Sequence, residues 1–241
     1  MKQQSGKLFL IPSPLGDTSA DLVMPAKAIL MLHQLNYLIV EDLRTARRLL
    51  SKIKIDKPID SITFFELNKY TADADAVKFL QPISEGNDVG LLSEAGSPCV
   101  ADPGAIIVRA AHLSGIVVIP LSGPSSIIMA LMASGFNGQS FCFHGYLPIH
   151  PDSRNKQLKL IEKTATLTGQ TQIFIETPFR NTQILDAIFK NCQPSTMLCI
   201  GTNISHPDEF ICTKTIGDWQ KRSPDIHKKP TVFLIWNEKR P

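Results

Sequence analysis

The most constraining feature of this 241-residue chain is a recurrence in its first half: five apolar runs, each ending in a short loop of glycine, proline, serine or acidic residues. The loops read Pro12-Ser13-Pro14-Leu15-Gly16, Glu41-Asp42-Leu43-Arg44, Glu66-Leu67-Asn68, Ser93-Glu94-Ala95-Gly96-Ser97-Pro98 and Leu121-Ser122-Gly123-Pro124-Ser125. Helix-like segments separate the runs. Strand, loop and helix in repetition imply a parallel sheet, because a parallel neighbour needs a long crossover. Ligands of such sheets bind beyond the carboxyl ends of the strands. The loop chemistry of the first half therefore gathers along one edge, as a small-molecule site requires.

Strands are expected at residues 7–12, 37–40, 61–65, 89–92 and 116–121. Their apolar runs are continuous rather than alternating, the pattern of a sheet covered by helices on both faces. Asp102-Pro103-Gly104 supplies an N-cap and a first-turn proline for a helix with Ile106, Ile107, Ala110 and Leu113 on one face, ended by Gly115. Pro124 opens a further helix through Ile128 and Leu131 that Gly135 closes. The second half predicts strands at 140–146, 172–176, 196–203, 209–216 and 231–236, with amphipathic helices at 152–163 and 181–190. Ser205-His206-Pro207-Asp208 joins two of these strands as a hairpin would, which indicates a mixed or antiparallel sheet. The expected class is α/β with two α/β domains: residues 1–121 around a mostly parallel sheet and residues 122–241 around a mixed one. A ligand is expected in the cleft between the halves.

Composition narrows the function. Lys+Arg total 25 against 22 Asp+Glu, a formal charge of +3 that is too mild to announce nucleic-acid binding and does not exclude it. The five cysteines form no C-x-x-C pair and read as reduced, buried thiols of a cytoplasmic protein. The six histidines are dispersed, so no metal site is expected. The polar start Met1-Lys2-Gln3-Gln4-Ser5-Gly6 leads directly into a strand, and no apolar run reaches bilayer length, so neither a signal peptide nor a membrane span is expected. The chain lacks G-x-G-x-x-G and Walker A loops, which leaves dinucleotide binding and NTP hydrolysis unsupported. No Ser-His-Asp or Cys-His set emerges from spacing, which argues against nucleophilic catalysis.

Each loop has a structural and a functional reading. Ser13-Pro14-Leu15-Gly16 is a tight turn or a ligand loop. Ser93-Glu94-Ala95-Gly96 offers exposed amides and a carboxylate, while Asp102 reads first as a helix cap. Leu121-Ser122-Gly123-Pro124-Ser125-Ser126 opens a helix with hydroxyls, for capping or for an anionic group. Glu41-Asp42-Leu43-Arg44 sets two carboxylates and a guanidinium at a strand end, as a base, a substrate clamp or a capped, solvated helix start. Phe179, after Glu176-Thr177-Pro178, is a stacking platform or a core residue.

Taken together and in order, these loops resemble the tetrapyrrole-methylase superfamily, the class III S-adenosylmethionine (SAM) methyltransferases. Within it the chain is most similar to the bacterial small-subunit rRNA methyltransferases that modify a cytidine ribose 2′-hydroxyl. The likeness runs from about Leu8 to about Arg180 and is carried by the 11–16 loop, Glu41-Asp42-Leu43-Arg44, the 93–98 loop with Asp102-Pro103-Gly104, the 120–125 loop and Phe143-His144-Gly145-Tyr146-Leu147-Pro148. The resemblance implies a homodimer whose protomers bind SAM in the interdomain cleft. It implies SAM contacts from Pro14, Ser93, Glu94, Ala95, Gly96, Leu121, Ser122, Gly123, Ser125, Ser126, Leu147, Pro178, Asn203, Ile204 and Thr231. Glu41, Asp42, Arg44 and Glu94 are the unranked candidates for the methyl-acceptor side. The partner it implies is small-subunit rRNA or the assembled subunit, met by Arg44, Arg47, Arg48, Lys52, Lys54, Arg180, Lys228 and Lys229. The chain departs from that branch where a late charged motif reads Gly201-Thr202-Asn203-Ile204-Ser205-His206 and where a glycine-glutamate pair reads Lys229-Pro230. Methylation of a tetrapyrrole, another small molecule or a protein, and SAM binding without catalysis, are the rival readings.

Overall fold

A computed structural model describes residues 5–67, 71 and 73–238. Residues 1–4 of the polar start, and Asn68 of the third loop, lie outside the described residues. The chain divides into two compact units, Met1–Ser125 and Ser126–Pro241.

The first unit runs β1 (Leu8–Ile11), α1 (Ala20–Val23), α2 (Ala26–Gln34), β2 (Tyr37–Val40), α3 (Leu43–Lys52), β3 (Thr63–Glu66), α4 (Asp73–Phe79), α5 (Gln81–Ser84), β4 (Val89–Leu92), α6 (Ala105–Leu113) and β5 (Val118–Pro120). Its five strands pair only in parallel, in the order β3-β2-β4-β1-β5. Alternate strand residues enter two separate cores. Ile11, Leu38, Val40 and Leu92 pack on one face with Leu32, Leu35 and Leu50. Leu8, Ile39, Val89 and Leu91 pack on the other with Ile107 and Ala111. Burial on both faces is the physical reason the strands read as continuous apolar runs. Gly90 sits where β4 leaves no room: a Cβ there would meet Leu38 Cδ2 at 2.7 Å and Ile11 Cδ1 at 2.9 Å.

The second unit runs α7 (Ser126–Ser134), β6 (Phe141–Tyr146), α8 (Pro151–Thr168), β7 (Thr171–Glu176), α9 (Asn181–Asn191), β8 (Met197–Thr202), β9 (Phe210–Thr215), α10 (Ile216–Lys221) and β10 (Thr231–Trp236). Its sheet has the order β6-β7-β10-β8-β9 and is mixed, parallel between β6 and β7 and antiparallel elsewhere. The expected hairpin is β8–β9, paired from Met197↔Thr215 to Thr202↔Phe210. One core holds Phe174, Ile200, Phe233 and Trp219. The Trp219 indole donates to the Leu198 carbonyl at 2.9 Å, satisfying its polar atom inside apolar surroundings. No helix among the described residues is long and apolar enough to cross a membrane.

One helix start differs from the sequence expectation. α6 begins at Ala105 behind Gly104, and Asp102 does not cap it. Its Oδ1 instead accepts from the Cys99 and Gly104 amides, both at 2.8 Å, and so holds a loop in which Cys99 and Ala101 take left-handed φ of 68° and 62°.

Candidate active site

β2, β4 and β1 are consecutive in the first sheet, so the loops after them are neighbours. Beyond their carboxyl ends lies a cavity of about 470 Å³, within the range of small-molecule sites. The loop after β1 contributes Ser13, Pro14 and Leu15, that after β2 Glu41 and Asp42, and that after β4 Ser93, Glu94 and Ala95. Helix α3 closes one side with Thr45, Arg48, Leu49 and Lys52.

Backbone hydrogen bonds fix these loops to one another. Ser13 and Gly96 form an isolated antiparallel bridge, each amide donating to the other's carbonyl at 3.0 Å. Gly96 takes φ +74°, which a residue with a side chain adopts only under strain. Buried Ser13 Oγ donates to the Ser93 carbonyl at 2.5 Å, and Ser97 Oγ donates to the Pro124 carbonyl at 3.1 Å. Gly123 is required by contact: a Cβ there would lie 2.2 Å from Pro12 Cγ. The 121–126 loop is thus tied to the others, yet none of Leu121, Ser122, Gly123, Ser125 and Ser126 lines the cavity.

The candidate acceptor-side groups separate clearly. Asp42 caps α3, its Oδ1 accepting from the Thr45 amide at 2.6 Å, and that bond holds its carboxyl below the usual range. Exposed Arg44 lies off the cavity, in a shallow depression with Asp42, Leu43, Arg47 and Glu66. Glu94 is exposed on the cavity wall. Glu41 is half-buried there, beside the loop that carries Glu94. Burial first, then the negative charge of Asp102, push Glu41 up to about 7. Burial also raises Asp102, against the Gly104 and Cys99 amides and the Ser93 hydroxyl, which lower it.

The other candidates belong to the second unit. Leu147 packs in its core at 3 % exposure. Pro178 is half-buried at the start of a short 3-10 turn, Pro178–Arg180, and its carbonyl accepts from the Lys228 amide at 3.1 Å. Asn203 takes a left-handed φ of 50°, with its amide on the Pro230 carbonyl at 2.9 Å and its side chain on Asp208 at 2.8 Å. Ile204 is buried. Thr231 stands between Glu176 and Thr202 in register, at the edge where β7 and β8 end and β10 begins. Behind it, fully buried Asn181 donates to the Ile226 and Lys229 carbonyls and to Thr231 Oγ1, at 3.2, 2.6 and 3.1 Å. Glu176 and Arg180 form an ion pair at 2.9 Å, too poorly aligned to count as a hydrogen bond. Phe179 is 71 % exposed, which removes the core reading for it.

Sequence reasoning overlooked Thr45 and Leu49 as cavity residues and assigned Arg48 and Lys52 only to RNA. Their spacing over 45, 48, 49 and 52 is one helical stripe, and that stripe was the available signal. Several of the proposed RNA-facing cations already hold carboxylates of this chain: Arg47 with Asp60, Lys52 with Asp17, Arg180 with Glu176 and Lys229 with Asp225. Arg44, Arg48, Lys54 and Lys228 are exposed.

Comparison with known proteins bears on this arrangement. The family model described as Tetrapyrrole (Corrin/Porphyrin) Methylases matches residues 7–220. The ribosomal RNA small subunit methyltransferase I of Pasteurella multocida (strain Pm70) is 30 % identical over 239 residues, covering 98 % of this chain and 80 % of that protein. Among solved structures, the methyltransferase CobJ superposes with a TM-score of 0.66 at 17 % identity, over 98 % of this chain and 97 % of its own. Uroporphyrin-III C-methyltransferase from Thermus thermophilus, complexed with S-adenosylhomocysteine, superposes with a TM-score of 0.61 at 15 % identity, over 96 % of this chain and 98 % of its own.

Proposed function

The chain belongs to the tetrapyrrole methylase family, and from that premise we propose that it transfers a methyl group from SAM to a ribose 2′-hydroxyl of small-subunit rRNA. Enzymes of this family are SAM-dependent methyltransferases. The observation that carries the choice of acceptor is the 30 % identity, over 98 % of this chain, to a protein named ribosomal RNA small subunit methyltransferase I.

The first unit has the chemistry to receive SAM: a cavity of about 470 Å³ whose wall joins carboxylates to the Ser93, Glu94 and Ala95 loop. Pro14 and the 93–96 loop are proposed to hold it, with the hydroxyl-bearing 121–126 loop beside them. The assignments of Leu147, Pro178, Asn203, Ile204 and Thr231 to the same cofactor rest on the family resemblance alone. SAM supplies, when bound, an electrophilic methyl carbon on a sulfonium. The protein's own contribution is alignment, exclusion of water and handling of the acceptor's proton. Exposed Arg44, Arg48, Lys54 and Lys228 are proposed to meet RNA phosphates, an interaction that weakens with salt. A homodimer and a cytoplasmic location complete the proposal; light scattering on the purified chain tests the dimer.

The deciding experiment incubates the purified protein with methyl-labelled SAM and small ribosomal subunits from cells lacking it, then maps label by nuclease digestion. Label on a single ribose is expected. SAM binding with no label on RNA would redirect the search to tetrapyrrole, other small-molecule or protein acceptors.

A further inference from the structure

We propose that the turn after β7 and the loop before β10 form a platform for single-stranded RNA, on which Phe179 receives the face of an unstacked base and Lys228 the adjoining phosphate. The inference deepens the rRNA reading above and rests on it.

A lone apolar side chain on a protein surface calls for no explanation. Phe179, 71 % exposed, differs in its company and in its support. Tyr146, the last residue of β6, and Ile149, in the loop that follows, are also exposed. They lie at the same sheet edge, because β6 and β7 pair in parallel with Tyr146 opposite Ile175. The 178–180 turn that carries Phe179 is tied on both sides of Lys228 to the loop before β10. The Lys228 amide donates to the Pro178 carbonyl at 3.1 Å. Fully buried Asn181, directly after the turn, donates to the Ile226 and Lys229 carbonyls at 3.2 and 2.6 Å. Phe179 and Lys228 therefore stand on one fixed support, and a support fixed beforehand loses little conformational freedom when a ligand binds.

Charge decides what the platform takes. The neighbouring cations are committed to this chain's own carboxylates, Arg180 to Glu176 at 2.9 Å and Lys229 to Asp225 at 3.2 Å. Lys228 is exposed, and no carboxylate among the described residues pairs with it. An exposed ring and an uncommitted ammonium are thus held together through the Pro178–Lys228 bond. That combination fits single-stranded RNA, whose bases stack on aromatic faces and whose phosphates attract lysine. A base inside a duplex has no open face, so the platform selects a loop, a bulge or a strand end. Stacking tolerates any base, so Phe179 holds the strand in place and reads no sequence.

Phe179→Trp supplies the probe. Its fluorescence, over the wild-type signal, is expected to be quenched by a short single-stranded oligoribonucleotide and left unchanged by the same oligomer with abasic riboses. Equal quenching by both would overturn the proposal. In methylation of unmodified small subunits, Phe179→Ala is expected to raise KM for the subunit by about 5- to 150-fold with kcat kept, the range of one lost base–aromatic stack. Phe179→Tyr should restore the wild-type KM, whereas Phe179→Leu, which keeps apolar area and lacks a ring face, should not. Lys228→Ala should flatten the fall of log affinity with log salt by about 0.7, the share of one phosphate on a single strand. An unchanged KM in Phe179→Ala, or full rescue by Phe179→Leu, would overturn the platform while leaving the rRNA reading intact. Loss of SAM affinity by calorimetry, with subunit affinity kept, would overturn it in favour of a cofactor contact. A wild-type protein that neither binds the oligomer nor labels small-subunit RNA would overturn both.

Discussion

The carboxyl-end edge of the parallel sheet and the corresponding edge of the mixed sheet use similar residues to opposite ends. In the second unit, Glu176 faces Arg180, and Asn181 joins three acceptors from segments 45 to 50 residues away. Polar groups there hold chain to chain. In the first unit, the backbone holds the loops, through the Ser13–Gly96 bridge, and the carboxylates of Glu41 and Glu94 are left on a cavity wall. The contrast teaches that a carboxylate answered by a cation ties segments together, whereas one left on a cavity wall remains open to a ligand.

The comparison can be broken by removing one carboxylate at a time. Glu176→Gln should have the largest effect, a loss of about 3 kcal/mol, because it leaves the Arg180 guanidinium beside a neutral group in a site where the Glu176 side chain is 0 % exposed. Urea denaturation would read it. Asn181→Ala should follow with about 2 kcal/mol, since it strands buried acceptors. Glu41→Gln should act in the opposite direction. Folding favours the protonated form of Glu41, so its ionisation costs nothing below the ordinary 4.5 and costs progressively more as pH rises towards about 7. The neutral variant should therefore be more stable than wild type at about pH 8, by about 1 kcal/mol once solvent screening of this half-exposed group is allowed for, with a correspondingly higher melting point, and equally stable in acid. A lowered melting point at that pH would erase the distinction between the two edges. The smallest effect belongs to Asp42→Ala, which removes the α3 cap. Because folding lowers the affinity of Asp42 for protons, its contribution is present at neutral pH and disappears in acid, so variant and wild type should converge there.

Much of the fold was legible because helices cover both faces of the first sheet, which made its strands unbroken apolar runs such as Tyr37–Val40 and Val89–Leu92. The hairpin β8–β9 was legible from its short polar link. The start of α6 was not, because a local Asp-Pro-Gly pattern fits both a cap and a side chain bonded back to Cys99, and only the left-handed loop decides between them. Asn181 passed unnoticed because its partners are distant in sequence. The candidate site was half visible. The loops announced themselves through proline and glycine, whereas the α3 wall is an ordinary amphipathic stripe, and the difference between half-buried Glu41 and Asp42, which caps α3, lies in burial and contacts that no motif records.

The Ser13–Gly96 bridge carries a consequence for anyone reshaping this enzyme. Past Ile11 and Leu92, where the pairing of β1 with β4 ends, the Ser13–Gly96 pair and the Ser13 hydroxyl on the Ser93 carbonyl join the two loops. Exchanging one loop for a turn of another shape removes these bonds together and frees its partner, so the two loops are to be grafted as a single cassette.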